Sequence, residues 1–239
     1  MIYVGTAGWA IPRESKPLFD SGDSQLQIYA TRFNAVEINS SFYRPHRPGT
    51  YARWAASVPE HFRFAVKMPR SITHERRLKE TDELLDTFLA QSRALGDRLG
   101  PILIQLPPSL KFDVRVACKF FDGLRDRFKG DVVCEPRHAS WFTAEANAML
   151  NDFHIARVAA DPASVAGASE PGGWHGVIYF RLHGSPRIYY SNYDDEKLEM
   201  LAVRLRKAAK TDISVWCIFD NTAEGAATRN ALALNERLA

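Results

Sequence analysis

Val177-Ile178-Tyr179-Phe180-Arg181-Leu182-His183 reads differently on its odd and even positions. Side chains two apart along a strand share a face. Ile178, Phe180 and Leu182 therefore form one apolar face, while Tyr179, Arg181 and His183 form another whose charges gather at the carboxyl end. The same arrangement recurs in Glu37 and Asn39, Ala65 and Lys67, Val133 and Glu135, Ala159 and Asp161, and Trp216, Ile218 and Asp220. The opposite parity is apolar in Val36, Ile38, Phe64, Val66, Cys134, Val215, Cys217 and Phe219, as expected of residues packed under helices. Parallel strands that bring polar residues together at their carboxyl ends fit a β/α barrel, which builds its active site there.

Eight segments rich in β-branched and aromatic residues carry this pattern: Ile2 to Thr6, Ala35 to Asn39, Phe62 to Lys67, Ile102 to Leu106, Val132 to Glu135, Ile155 to Asp161, Val177 to His183 and Ile213 to Asp220. Helical stripes lie between most of them. Asp82 to Leu99 is the clearest; Val116, Phe120, Leu124 and Phe128 follow a cap at Asp113; Leu198, Leu201, Leu205 and Ala209 follow Asp194; Ala223 to Leu238 closes the chain. Pro162 to Gly176 is rich in Gly, Ser and Ala and reads as a loop. The sequence thus predicts an α/β protein, a single (β/α)8 TIM barrel over residues 1–239 with its sixth helix replaced by a loop. An open doubly wound sheet is the alternative, but no G-x-G-x-x-G turn is present.

The 239 residues match the roughly 250 of one such barrel. With 46% hydrophobic and 25% charged residues, a large core can form and disorder is not expected. A net charge of +3 is too small to indicate a nucleic-acid partner by itself. Cys118, Cys134 and Cys217 are an odd number without metal-ligand spacing, as for free thiols in a reducing compartment. No leader pattern and no apolar run near 20 residues is found. A cytoplasmic protein with no membrane contact is expected.

The strand ends and the loops after them supply the candidate site. Glu37, Glu135, His138, His183 and Asp220 are the catalytic candidates. Asn39, Tyr43, Arg44, Lys67, Arg70, His74, Gln105, Arg137, Trp141, Asp161, Arg181 and Tyr190 are the substrate-binding candidates.

Seven stretches at these positions, Gly5-Thr6-Ala7-Gly8-Trp9, Val36-Glu37-Ile38-Asn39-Ser40-Ser41-Phe42-Tyr43, Ile72-Thr73-His74, Gln105-Leu106-Pro107-Pro108-Ser109, Glu135-Pro136-Arg137-His138, Arg181-Leu182-His183-Gly184 and Phe219-Asp220-Asn221, run through the whole chain in order. In these motifs the chain resembles the barrel family known as domain of unknown function 72, the YecE-like family. The resemblance implies a barrel and supplies no established activity. The chain departs from it around Pro162 to Gly176, which looks short.

Two carboxylates facing one another can act as general acid and base, as in glycoside hydrolysis, and Glu37 and Glu135 are placed to do so. His138 and His183 each have an arginine beside them, and neighbouring cations favour a neutral, base-competent imidazole. Arg44, Lys67, Arg70, His74, Arg137 and Arg181 suit a phosphate or carboxylate, and the tyrosines with Trp141 could stack a base or sugar. A hydrolase acting on a small anionic substrate is the leading expectation. A nucleic-acid or anionic-metabolite binding module and a carbohydrate-active enzyme are the alternatives, and a structural ion-pair network is the non-functional one. No cofactor is expected. A divalent metal on Glu135, His138, Asp161, His183 and Asp220 is a weaker option, because arginines nearby would oppose a cation.

Overall fold

A computed structural model describes residues 1–209 and 213–239. Strands and helices alternate through β1 (Ile2–Thr6), α1 (Gln25–Ala30), β2 (Ala35–Ile38), α2 (Pro48–Ala56), β3 (Arg63–Lys67), α3 (Asp82–Ser92), β4 (Leu99–Gln105), α4 (Val114–Arg127), β5 (Val132–Glu135) and α5 (Ala144–Asp152). Then follow β6 (Ala156–Arg157), β7 (Ala159–Asp161), β8 (Gly172–Gly173), β9 (Val177–Leu182), α6 (Asp195–Ala208), β10 (Ser214–Phe219) and α7 (Ala226–Leu238). The fold is α/β with parallel-dominated sheets. One sheet runs β1-β10-β9-β7 and the other β2-β3-β4-β5-β6-β8, with only β8 antiparallel.

The two sheets meet twice. Ala7 bridges Glu37, and Gly8 N–H donates to the Glu37 carbonyl at 2.8 Å. On the other side, β6 and β7 are two halves of one segment broken at Val158, whose N–H donates to Cys134 of β5. The first junction needs Gly5: a Cβ there would stand 2.0 Å from the Ala35 carbonyl oxygen.

Local signals account for the helix ends. Asp113 Oδ1 accepts from the N–H groups of Arg115 and Val116, and Asp194 Oδ1 accepts from that of Lys197. Each such cap contributes about 1 kcal/mol. The helix predicted over Asp82 to Leu99 is shorter: after Ser92 it tightens into a 3-10 segment, Arg93–Arg98, kinked at Gly96, whose φ is 55°. The last helix starts at Ala226 instead of Ala223.

Inner-face residues form a core of their own: Ala35, Ala65, Leu103, Val133, Ala156, Val158, Val177, Tyr179, Trp216 and Ile218. Tyr3, Trp216 and Tyr179 stack in sequence, with ring centroids 4.6 and 6.0 Å apart. This core is a hydrophobic floor beneath the strand ends. The sixth segment corrects the predicted parity: Ala156 and Val158 point inward, while Ala159 packs with the outer core. Asp161, in step with Ala159, therefore belongs to the outer face. Among the described residues no helix lies between β7 and β9. Loop 162–171 takes its place, held by the bond from Ala160 N–H to the Ala168 carbonyl and by Arg204, which donates to Ser169 and Glu170. Among the described residues no helix is long and apolar enough to cross a membrane.

Gly5→Ala is expected to lower stability by roughly 3 kcal/mol, because backbone cannot yield as a side chain does. Gly49→Ala, which meets open space, is the control and should shift stability by less than about 1 kcal/mol. Urea unfolding of both variants checks the pair; equal effects would mean that the β1–β2 junction is not tightly packed.

Candidate active site

β9 carries Arg181 into the middle of the strand ends, where its guanidinium is wholly buried. Nε and Nη2 fork onto Glu37 of β2 at 3.0 and 2.7 Å, Nη1 donates to Glu135 of β5 at 3.1 Å, and Nη2 lies 3.0 Å from Asp220 beyond β10. Tyr179, two residues before Arg181 on the same face, donates its hydroxyl to Glu37 at 3.0 Å. Glu37 is thus fully engaged below the mouth, with no surface of its own.

A second layer sits above. Glu135 Oε1 accepts from Arg137 Nε and Nη2 at 3.2 and 3.1 Å and lies 2.9 Å from His183 Nε2. Gln105 of β4 approaches the same carboxylate at 3.4 Å. The other ring nitrogen of His183, Nδ1, is 3.0 Å from Asp220 Oδ2. Arg137 Nη2 also lies 3.3 Å from Nε2, farther than the Glu135 oxygen at 2.9 Å; carboxylates only accept, so an imidazole between two of them is satisfied when both its nitrogens carry protons.

The electrostatics agree with that geometry. Burial works against the charged form of His183, but Glu135 and the hydrogen bonds to Asp220 and Glu135 outweigh it and raise the pKa. Burial likewise opposes ionisation of Glu135, yet His183, Arg181 and Arg137 hold it well below the usual carboxylate range. Asp220 is lowered in the same way by Arg181 and His183. The sequence expectation of a neutral, base-competent His183 is therefore corrected: its partners across the sheet are acids, and they outweigh the adjacent arginine.

Lys67, at the end of β3, is nearly buried with its Nζ 4.2 Å over the Phe42 ring. Burial and then the Arg181 charge lower its pKa to about 8, against the pull of Glu37, Asp220 and Glu135. His74 meets the Phe42 ring edge-on at 4.9 Å, with Nδ1 2.8 Å from the Thr73 hydroxyl. Burial, Lys67, Arg70, Arg137 and Arg77 all depress its pKa. His74 is thus the imidazole of the site that favours the neutral form.

Eight sequence candidates thus converge: Glu37, Lys67, Gln105, Glu135, Arg137, Arg181, His183 and Asp220. His74 stands beside them, and half-buried Asn39 leaves its Oδ1 unpaired. Others go elsewhere. Trp141 is a core residue, its indole N–H donating to the Leu110 carbonyl at 2.9 Å. His138 accepts the Ser140 N–H at 3.1 Å and caps the turn Ala139–Phe142. Asp161 faces outward, pairing with Lys197 at 2.9 Å and accepting from Tyr193. Tyr43, Arg44 and Arg70 line a separate cleft of about 280 Å³ near α3, where Arg70 engages Glu75 at 3.0 Å. Tyr190 is exposed under Arg187. The residue before it, Tyr189, reaches the site instead: it hydrogen-bonds Arg137 and stands edge-on to His183. Tyr179 and Phe42 were also missed, although Tyr179 has the parity of Arg181.

Among the described residues no group of three or more His, Cys, Asp and Glu side chains is arranged to hold a metal ion. Cys134 and Cys217 are buried, which raises their thiol pKa values and disfavours the nucleophilic thiolate.

A family model described as protein of unknown function DUF72 matches residues 3–239. The chain belongs to the DUF72 family. Curated relatives include UPF0759 protein YecE of Escherichia coli, 32% identical over 143 residues, which are 59% of this chain and 50% of the relative. UPF0759 protein YunF of Bacillus subtilis is 28% identical over 151 residues, 60% of this chain and 53% of the relative. The chain thus spans about half the length of the curated relatives it matches. A DUF72 crystal structure from Thermotoga maritima covers 100% of this chain and 99% of its own, with 26% identity and a TM-score of 0.82. Another, from Enterococcus faecalis, has 21% identity and a TM-score of 0.84, covering 100% of this chain and 95% of its own.

Removing the central cation strands three acids. Arg181→Met is expected to lose roughly 3–5 kcal/mol at neutral pH, and less near pH 4 where the carboxylates protonate. Urea titrations at the two pH values check this. The raised pKa of His183 makes its stabilisation complete below the unfolded value of about 6.5 and lost as pH rises through the folded value. The stability gap between wild type and His183→Gln should therefore narrow in alkaline solution; a pH-independent gap would contradict the imidazolium assignment.

Proposed function

We propose that this chain is an enzyme acting on a small anionic substrate, phosphate- or carboxylate-bearing, seated above the Arg181 network. A single closed (β/α)8 barrel over residues 1–239 is the matching architecture, supported by the junctions at Ala7–Glu37 and Val158. The observation that carries the reading is one of saturation. Glu37, Glu135 and Asp220 are engaged by Arg181 and its neighbours, while Arg137, its side chain 22% exposed, is the member of the network that reaches solvent. An approaching molecule meets Arg137 first, a cation whose partner Glu135 is buried beneath it, a setting that favours an anion.

Hydrolysis at a phosphate-bearing centre is the reaction class placed first. His183 would give its proton to the leaving oxygen, His74 would take one from water, and Arg137 would stabilise the developing charge. Glu37 and Asp220 act as positioning residues, holding Arg181 and His183. A glycosidase pair of glutamates is disfavoured, because Glu37 is enclosed by Arg181 and Tyr179 and Glu135 is held ionised by three cationic partners. An oligonucleotide is a second form that the anion could take, and it would show steep salt dependence.

Thermal unfolding against phosphorylated sugars, nucleotides, oligonucleotides and neutral sugars tests this. A ligand at about 100 times its dissociation constant stabilises by roughly 2.7 kcal/mol, and the shift should vanish in Arg137→Gln. Stabilisation by neutral sugars alone, or an undiminished phosphate shift in that variant, would overturn the reading.

A further inference from the structure

Lys67 differs from the other charged groups on the inner face. Arg181, Arg137 and His183 each have carboxylate partners, whereas the Lys67 amine has neither a hydrogen bond nor an ion pair with any described residue. Only 5% of the residue is exposed. Its backbone is fixed by Ser41, whose hydroxyl donates to the carbonyls of Lys67 and Ile38 at 2.6 and 2.8 Å and ties the ends of β3 and β2 together. The amine therefore sits at a defined place, against the Phe42 ring and within reach of the field of Arg181, Glu37, Glu135 and Asp220.

A nearly buried ammonium without a direct counter-ion is expensive, and the neutral amine relieves that cost. Desolvation together with a neighbouring cation is a known way to turn a lysine into a nucleophile. With a pKa of about 8, Lys67 has on the order of a hundredfold more free amine at neutral pH than an ordinary lysine. His74, favoured as neutral imidazole, packs against the same Phe42 ring as the amine, and His183 is held on Glu135 and Asp220, two of the acids whose field reaches Lys67.

We infer that Lys67 is a nucleophilic amine that forms an imine with the carbonyl group of an anionic substrate held by Arg137 and His183. The nitrogen lone pair adds to the carbonyl carbon and the oxygen takes a proton, giving a carbinolamine. The nitrogen loses its proton, the hydroxyl leaves as water after a second protonation, and a C=N bond remains. Amine and carbonyl give imine and water with no oxidant or reductant, and water reverses the step. The inference rests on the anionic pocket of the preceding reading and is independent of phosphate-ester hydrolysis.

Pyridoxal 5′-phosphate, an aldehyde carrying a phosphate, is the probe. The full chain is incubated with it near pH 8, reduced with borohydride and digested, and the modified lysines are mapped by mass spectrometry. Lys67 should be labelled at least about tenfold more than Lys79, Lys111 or Lys119, given its larger free-amine fraction, and inorganic phosphate should suppress that labelling. Lys67→Met, which keeps the length of the side chain and removes the amine, should lose it while keeping the melting temperature. Labelling spread evenly over the lysines overturns the inference. Pyridoxine 5′-phosphate, with an alcohol in place of the aldehyde, separates the two readings. If it stabilises the protein while the aldehyde leaves Lys67 unmodified, the imine fails and the anionic pocket stands; if neither compound binds, both fail.

Discussion

The guanidinium of Arg181 is the interaction on which the strand ends depend. It is fully buried and contacts carboxylates from β2, β5 and the segment after β10, elements that belong to two different sheets. Arginine suits this place because its planar fork can satisfy a bidentate acid on one edge and further acids on the others. A lysine would offer a point charge without that geometry. The stacked rings of Tyr3, Trp216 and Tyr179 below exclude water from the network, which strengthens each pairing and raises the penalty for leaving any one of them unmade.

The network also decides the charge that the mouth presents. Three acids would ordinarily make a cation-binding cup. Here they are turned onto Arg181, with Glu135 Oε1 also taken by His183 and Arg137 and Asp220 Oδ2 shared with His183. The more exposed groups around this network, Arg137, His74 and Tyr189, are cationic or neutral. Acids that read in the sequence as reactive are the partners of Arg181, Arg137 and His183, and the proposed reactive groups are the imidazolium of His183 and the amine of Lys67.

Much of this arrangement was legible from strand parity. Glu37, Lys67, Glu135, Arg181, His183 and Asp220 share the inward phase of their strands, and they meet because carboxyl ends of parallel strands meet. Parity failed at the sixth segment for a physical reason: Ile155 to Asp161 is apolar on both phases except at Arg157 and Asp161, so no solvated face marks its register. Those two polar residues share the outer phase, where Arg157 covers Phe142 and Asp161 meets Lys197. Loops have no period at all. Nothing in Tyr189-Tyr190 says which ring turns inward; a left-handed backbone at Tyr189, φ 71°, accompanies the choice. The protonation of His183 was hidden too, since its neighbour in sequence is the basic Arg181 while the groups nearest its ring nitrogens, Glu135 at 2.9 Å and Asp220 at 3.0 Å, are acidic.

The state of that imidazole tests the account most directly. Nitrogen-15 chemical shifts of the His183 side chain at pH 7.5 report whether each ring nitrogen carries a proton. Two protonated nitrogens are expected, with Nδ1 facing Asp220 and Nε2 facing Glu135. One bare nitrogen at that pH would contradict the account, because the acids would then not be saturated and the mouth would lose its cationic character.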